Sequence, residues 1–360
     1  MYDCSIIVPT HNRSNLLLRC ISYYEKKIFK NKKIIIVDSS KKKFIYKFKK
    51  NFDYYFTSGE KFNSKILFGI KKSKTKYVII CNDDDFISNY GLNKGLNFLK
   101  KNLNYSSVQG EFIFFRKLNK INTHIFQEAY LDTLKYNLDI KNKNKMNRIK
   151  EIYLKRPHWY NALHYRKNLL TSFKIARTGN DLHYSEIILP IIIGVKGYVK
   201  TAGYFWYAKD SIVYKDLSIL DQKKRQQMLN ELLDEKSLIR KKIYDFLNKE
   251  IKNDLKIYEF DLIIKKYFTK YLIAKEESFF YKFYNLVKSL PHFFIPELLK
   301  NLIKISLNFI KNKSIENASS IKNYGPSKNN FTFNDWLLMK LHVEEFNKKF
   351  NYKKLYKNLK

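Results

Sequence analysis

Residues 77–87 read Y-V-I-I-C-N-D-D-D-F-I, a short β-branched run (Val78, Ile79, Ile80) that stops abruptly in Asp83, Asp84 and Asp85. The run has the character of a buried strand, and few folds accept a strand that ends in three adjacent carboxylates. Such groups repel one another and resist desolvation, so the structure must bring them a counter-charge. A divalent cation is the natural partner. Mg2+ or Mn2+ takes hard oxygen ligands and joins one or two carboxylates to the phosphates of a substrate. The competing reading is a solvated turn that caps the following helix.

The same pattern repeats upstream. Residues 4–8 form a buried apolar run stopped by Pro9, and residues 33–37 form another that ends at Asp38, Ser39 and Ser40. Residues 54–57 are a third strand candidate. Helical spacing lies between these runs: Leu16, Leu17, Cys20 and Ile21 behind a cap at Asn12 or Ser14, then Ile66, Leu67 and Ile70 within residues 63–73, then residues 91–101. Continuous apolar strands alternating with helices indicate an α/β fold with a mostly parallel sheet covered on both faces. Ligands in such sheets bind beyond the carboxyl ends of the strands. Pro9-Thr10-His11, Asp38-Ser39-Ser40 and the three aspartates should therefore converge on one crevice.

Further along, residues 107–115 read as a strand with a bulge or close approach at Gly110. Residues 117–156 read as a polar insertion with a Lys/Asn-rich loop at 141–150. Residues 158–165 are a strand candidate followed by a helix from Lys167, residues 181–194 are helical despite Pro190, and residues 198–207 form a last strand. After about Leu217 the chain turns to long amphipathic helices (221–249, 258–272 and 279–310) with a linker at 312–330 and a short helix at 334–350. The expected division is residues 1–216 as a catalytic domain and 217–360 as an all-helical region.

Net charge is +37 over 360 residues. Lys, Asn, Ile, Tyr and Phe are enriched together, as codon bias from an AT-rich genome produces, and the charge is mostly Lys rather than the Arg that reads base edges. Nucleic acid is therefore not the expected partner. Cys4, Cys20 and Cys81 form no paired framework, which points to a reducing cytoplasm. No run reaches the roughly eighteen apolar residues that span a bilayer, and none has the form of a secretory signal. The helical tail combines apolar faces with Lys, notably at Phe279, Phe280, Phe283 and residues 298–310. It could lie on an anionic membrane surface or bury those faces internally or in a homo-oligomer.

Taken together, the strand-end motifs resemble a family 2 type inverting glycosyltransferase of the GT-A (Rossmann-like) fold, over roughly residues 1–210. Ile6-Ile7-Val8-Pro9-Thr10-His11-Asn12-Arg13 is similar to that family's first-strand signature, and the run ending at Asp38 resembles its second. Asn82-Asp83-Asp84-Asp85 resembles the DxD region. Cys81 to Phe86 together with Val108-Gln109-Gly110 resemble a bacterial subgroup linked to surface polysaccharide (capsule or lipopolysaccharide) assembly.

The resemblance implies that Pro9, Thr10, Asn12, Arg13, Asp38, Asp83 and Asp84 contact a nucleotide-diphosphate sugar, and that Asp84 and Asp85 hold Mn2+ or Mg2+. It also implies a glycan or lipid-linked acceptor and a place at the inner face of the cytoplasmic membrane. Inverting transfer needs a general base. Glu186 is the candidate because it precedes Gly197-Tyr198 by the family's interval of eleven residues. The family commonly carries a Glu-Asp pair there, whereas this chain has Ser185-Glu186. Asp181 is the alternative base or a helix cap.

His158, Trp159, Tyr160 and His164 lie beside an acceptor-side strand candidate, as sugar-stacking aromatics or as core. A sugar nucleotidyltransferase is the rival enzyme reading, although the loop after the first strand lacks the glycine it would need. A basic nucleic-acid-binding protein is the rival from another class, to be told apart by salt-dependent binding to random duplex.

Overall fold

The computed structural model describes residues 2–117, 124–128, 138–155, 159–179, 183–210, 218–251, 257–273 and 342. The three buried runs near the N-terminus form β1 (Cys4–Thr10), β2 (Lys32–Asp38) and β4 (Tyr77–Ile80), with β3 (Phe52–Phe56) beside β2. All four are parallel, in the order β3-β2-β1-β4. Side chains alternate across this sheet: Ile6, Val8, Ile34 and Ile36 join one core, while Ile7, Ile35 and Val37 join another on the opposite face. Helices α1 (Ser14–Tyr24) and α3 (Asn89–Lys101) cover the first face. Helix α2 (Phe62–Lys72) covers the second, together with α5 (Arg166–Ala176) and α6 (Tyr184–Lys196). Burial on both faces explains why these strands read as unbroken apolar runs, each large side chain contributing about 1.5–3 kcal/mol.

The sheet continues through β9 (Leu163–Tyr165), β6 (Tyr105–Lys117), β10 (Tyr198–Asp210) and β5 (Phe86–Ile87). β7 (His124–Glu128) pairs with β6, and β8 (Asp139–Ile140) with β10. β6 and β10 form a long parallel ladder whose register shifts between Thr201 and Phe205. Gly110 sits at that irregularity. A Cβ there would lie 2.2 Å from the Tyr204 carbonyl oxygen, so the close approach inferred from an isolated strand glycine is present.

Several expectations need correction. The tract at 141–150 is not wholly loop, because α4 (Lys145–Lys155) begins inside it. Met146, Ile149, Ile152 and Tyr153 are buried at helical spacing, a stripe hidden between Lys and Asn. The strand candidate at 158–165 is a 3-10 turn, Trp159–Asn161, followed by the short β9. The long helix at 221–249 is two helices, α7 (Ser218–Leu233) and α8 (Leu238–Ile251). Between them Asp234 and Ser237 form the turn, with the Asp234 carboxylate accepting from the Lys236 amide.

Helix α9 (Ile257–Ile273) follows. Met228, Leu232, Ile239, Ile243, Leu247 and Phe260 of these helices share one core with Ile149, Tyr153, Ile187, Ile188 and Ile191. Among the described residues no helix is long and apolar enough to cross a membrane. The segments at 279–310, 312–330 and 334–350 lie outside the described residues except for His342. Its ring packs 5.4 Å from Tyr23 and 5.8 Å from Phe86, and its Nε2–H donates to the Arg19 carbonyl at 3.1 Å.

Candidate active site

Parallel pairing sets the ends of β1 and β2 side by side, with Thr10 opposite Asp38. The loops beyond them are stitched together. The Asn12 amide donates to Ser40 Oγ at 2.7 Å, and Asn12 Oδ1 accepts from the Lys41 amide at 3.0 Å. His11 Nδ1–H donates to the Ser39 carbonyl at 3.0 Å, so its Nε2 accepts from Asn12 Nδ2. Asn12 is the described non-glycine residue with positive φ, 53°, a conformation asparagine tolerates better than most. Asp38 is buried, its oxygens accepting from the Ser40 amide at 2.8 Å and the Tyr54 hydroxyl at 2.7 Å. Pro9 does not stop β1 as expected: the strand runs through it to Thr10, with Pro9 paired opposite Val37.

The acidic turn lies directly against these loops. Thr10 Oγ1 donates to Asp83 at 2.6 Å, and one Arg13 nitrogen reaches Asp83 and Asp84 at 3.1 Å each. Asp85 points the other way, accepting from the Tyr207 hydroxyl (2.8 Å), the Asp210 amide (2.9 Å) and Asn82 Nδ2 (3.3 Å). Thr10, Asn12, Arg13, Asp38, Asp83 and Asp84 thus meet at one crevice at the carboxyl ends of the strands, as the topology requires.

Charge in the turn is unevenly compensated. Burial pushes the Asp83 carboxyl up despite Arg13, and burial with the Asp84 charge beside it pushes Asp85 up to about 8. The Arg13 guanidinium is at contact distance of Asp83 and Asp84 only, while Asp85 feels the Lys209 charge. Asp84 Oδ1 has no hydrogen-bond or ion-pair partner among the described residues. These hard oxygens, with negative charge the protein only partly neutralises, fit Mg2+ or Mn2+. Among the described residues no three metal-ligating side chains converge, so a cation here would take one or two carboxylates and draw its other oxygens from a ligand and water.

Residues that sequence reasoning missed hold this geometry. Arg19 is fully buried in α1, and its guanidinium donates to the Asp84 carbonyl at 2.7 Å and to Asp210 at 3.2 Å. Lys65 is 3% exposed, and its ammonium donates to the Thr10 carbonyl (2.7 Å) and Ser39 Oγ (3.0 Å), tying the β1 and β2 loops. Burial lowers its pKa to about 8 against the pull of Asp83 and Asp38. The signal for both was a charged residue on the inward side of an amphipathic helix next to a strand-end motif.

Glu186 occupies the first turn of α6 with its side chain 41% exposed, 3.5 Å from His183 Nδ1. Asp181 and His158 lie outside the described residues. Trp159 is buried, and His164 is buried with Nε2–H donating to the Trp159 carbonyl at 2.8 Å; burial pulls its pKa down to about 4. Trp159 and His164 are therefore core, not acceptor-facing. Cys4, Cys20 and Cys81 are buried free thiols pushed up by burial.

Residues 5–162 match the family model described as glycosyl transferase family 2. No curated protein sequence matches the chain. Among solved structures, S. aureus TarS 1–349 aligns with a TM-score of 0.43 at 13% identity, covering 76% of this chain and 83% of that one. A longer S. aureus TarS chain aligns at 0.42 and 11% identity, covering 90% of this chain, which spans 55% of it. S. aureus TarS 1–349 in complex with UDP-GlcNAc aligns at 0.41 and 13% identity, over 72% of this chain and 78% of that one.

Proposed function

Since residues 5–162 belong to glycosyl transferase family 2 and the fold is of the GT-A type, we propose that this glycosyltransferase moves a sugar, with inversion, from a nucleotide-diphosphate donor to a glycan or lipid-linked acceptor of a bacterial surface polysaccharide. The observation that carries the reading is the hydrogen-bonded convergence of Thr10, Arg13, Asp83 and Asp84 beside Asp38 at the carboxyl ends of the parallel strands. Residues 1–216 would supply the chemistry. Of the region 217–360, helices α7 to α9 would brace it from the side of α4 and α6, and the segment beyond Ile273 is proposed to meet an anionic membrane surface at the inner face of the cytoplasmic membrane.

In this reading the loops at Pro9 to Arg13 and at Asp38 hold the nucleoside, and the Arg13 guanidinium lies where it can meet the diphosphate. Asp84 would hold Mg2+ or Mn2+, which when bound neutralises charge on the departing diphosphate. Asp85, expected beside it as a ligand, has both oxygens engaged by Tyr207, Asn82 and Asp210. Arg19 fixes the Asp84 backbone, and the Tyr207 hydroxyl and Asp210 amide fix Asp85. Glu186 would take the acceptor hydroxyl's proton, so that the alkoxide-like oxygen attacks the anomeric carbon from the face opposite the leaving group.

Thermal unfolding with a panel of nucleotide sugars is the test. A donor at one hundred times its dissociation constant should add about 2.7 kcal/mol of stability in Mn2+ or Mg2+. No stabilisation by any member, with or without metal, would reject the donor site.

A further inference from the structure

A buried hydroxyl sits one residue before Asn161, whose Nδ2 donates to the Tyr207 hydroxyl (2.9 Å) that in turn donates to Asp85 (2.8 Å). Tyr160 sits in the 3-10 turn Trp159–Asn161, its ring stacked on Phe62 (centroids 6.3 Å apart, planes at 20°) and edge-on to Phe173 (6.4 Å, 61°). Its oxygen is shielded from solvent and has no hydrogen-bond partner among the described residues. After burial, the group that acts on it most is Glu186, followed by Asp85, Cys81 and Asp84. The hydroxyl is thus in electrostatic reach of both the proposed base and the acidic turn, and burial together with these charges keeps it protonated, hence a donor.

Packing among the described residues does not account for this oxygen. A phenylalanine would keep both ring contacts and avoid burying a polar group without a partner, which is destabilising. The Phe62 ring also faces the Lys65 ammonium at 5.8 Å, so the aromatic wall is continuous with the loops at the ends of β1 and β2. In the proposed site a ligand spanning from the acidic turn to Glu186 would pass this wall, and its uncharged oxygens would be the acceptors for the phenol.

We propose that Tyr160 is a specificity-determining residue whose hydroxyl donates a hydrogen bond to an oxygen of the transferred sugar. The assignment rests on reading the crevice as a nucleotide-sugar site. It separates two parts of one ligand: the nucleoside diphosphate is held by the loops and the acidic turn, whereas the sugar is held at Tyr160.

The Tyr160→Phe variant removes one oxygen and keeps the ring. Wild type and variant are titrated in Mn2+ with UDP and GDP, and with UDP-glucose, UDP-N-acetylglucosamine and GDP-mannose. The expected result has three parts: an unfolding temperature equal to or above wild type, unchanged affinity for the bare diphosphate, and about tenfold weaker binding of the accepted nucleotide sugar. Equal nucleotide-sugar affinity in the two proteins, with the diphosphate still bound, overturns the role of Tyr160 alone. A lowered unfolding temperature also overturns it, because the hydroxyl would then have a partner within the protein. Failure of wild type to bind any of the probes overturns the donor-site reading and this inference with it.

Discussion

Replacing Glu186 with glutamine should leave donor binding nearly intact and cut sugar transfer by about 10²- to 10⁴-fold, the range that a general base contributes. Glutamine keeps the size and hydrogen bonding of the side chain but cannot accept the acceptor's proton. The position suits the role: Glu186 is in the first turn of α6, partly exposed, and its field reaches the same buried hydroxyl as those of Asp84 and Asp85. Its charge is also compatible with the helix N-terminus, so removing it should cost the fold only a few tenths of a kcal/mol, about 0.3–1 at most. Asp181→Asn belongs in the same experiment. Near wild-type transfer by Glu186→Gln beside a dead Asp181→Asn would move the base to Asp181, and full activity in both would remove the mechanism.

The three aspartates should not be equivalent, and their asparagine variants should separate binding from folding. Asp84→Asn is expected to abolish metal-dependent donor binding, about 100-fold or more, with the unfolding temperature preserved. Asp84 meets the protein through Arg13 alone among side chains and keeps an oxygen uncommitted among the described residues. Asp85→Asn should instead lower stability by about 1–3 kcal/mol, since an amide offers one acceptor oxygen where the carboxylate serves Tyr207, Asn82 and the Asp210 amide. Asp83→Asn should weaken binding by loosening Arg13 and Thr10. Unchanged metal dependence in all three variants would show that the cation is not held at this turn.

What could be read from the chain follows from how strongly each feature departs from a solvated surface. The runs at Ile6 to Val8, Ile34 to Val37 and Val78 to Ile80 are buried on two faces, so they carry no polar residue to blur them, and parallel pairing then dictates that their polar ends meet. Arg19 and Lys65 escaped because a charge on a helix in so basic a chain reads as solvent-facing. Only the tertiary structure reveals that each satisfies carbonyls beneath a loop. Helix α4 escaped for the opposite reason, its four buried apolar residues diluted by Lys and Asn. The break between α7 and α8 uses Asp234 and Ser237 in place of glycine or proline, which leaves no strong punctuation. Asp210 lies three residues past the expected end of its strand, and its link to Asp85 depends on β5 folding back against β10.

The most direct measurement of the central claim is the release of nucleoside diphosphate from a panel of nucleotide sugars, followed with wild-type protein in Mn2+ or Mg2+ and again after chelation. The account predicts turnover of at least one donor, rising when a glycan or lipid-linked acceptor is supplied and lost on chelation. Release that is indifferent to chelation would contradict the role given to the acidic turn, and no release from any donor, with acceptor present, would contradict the function itself.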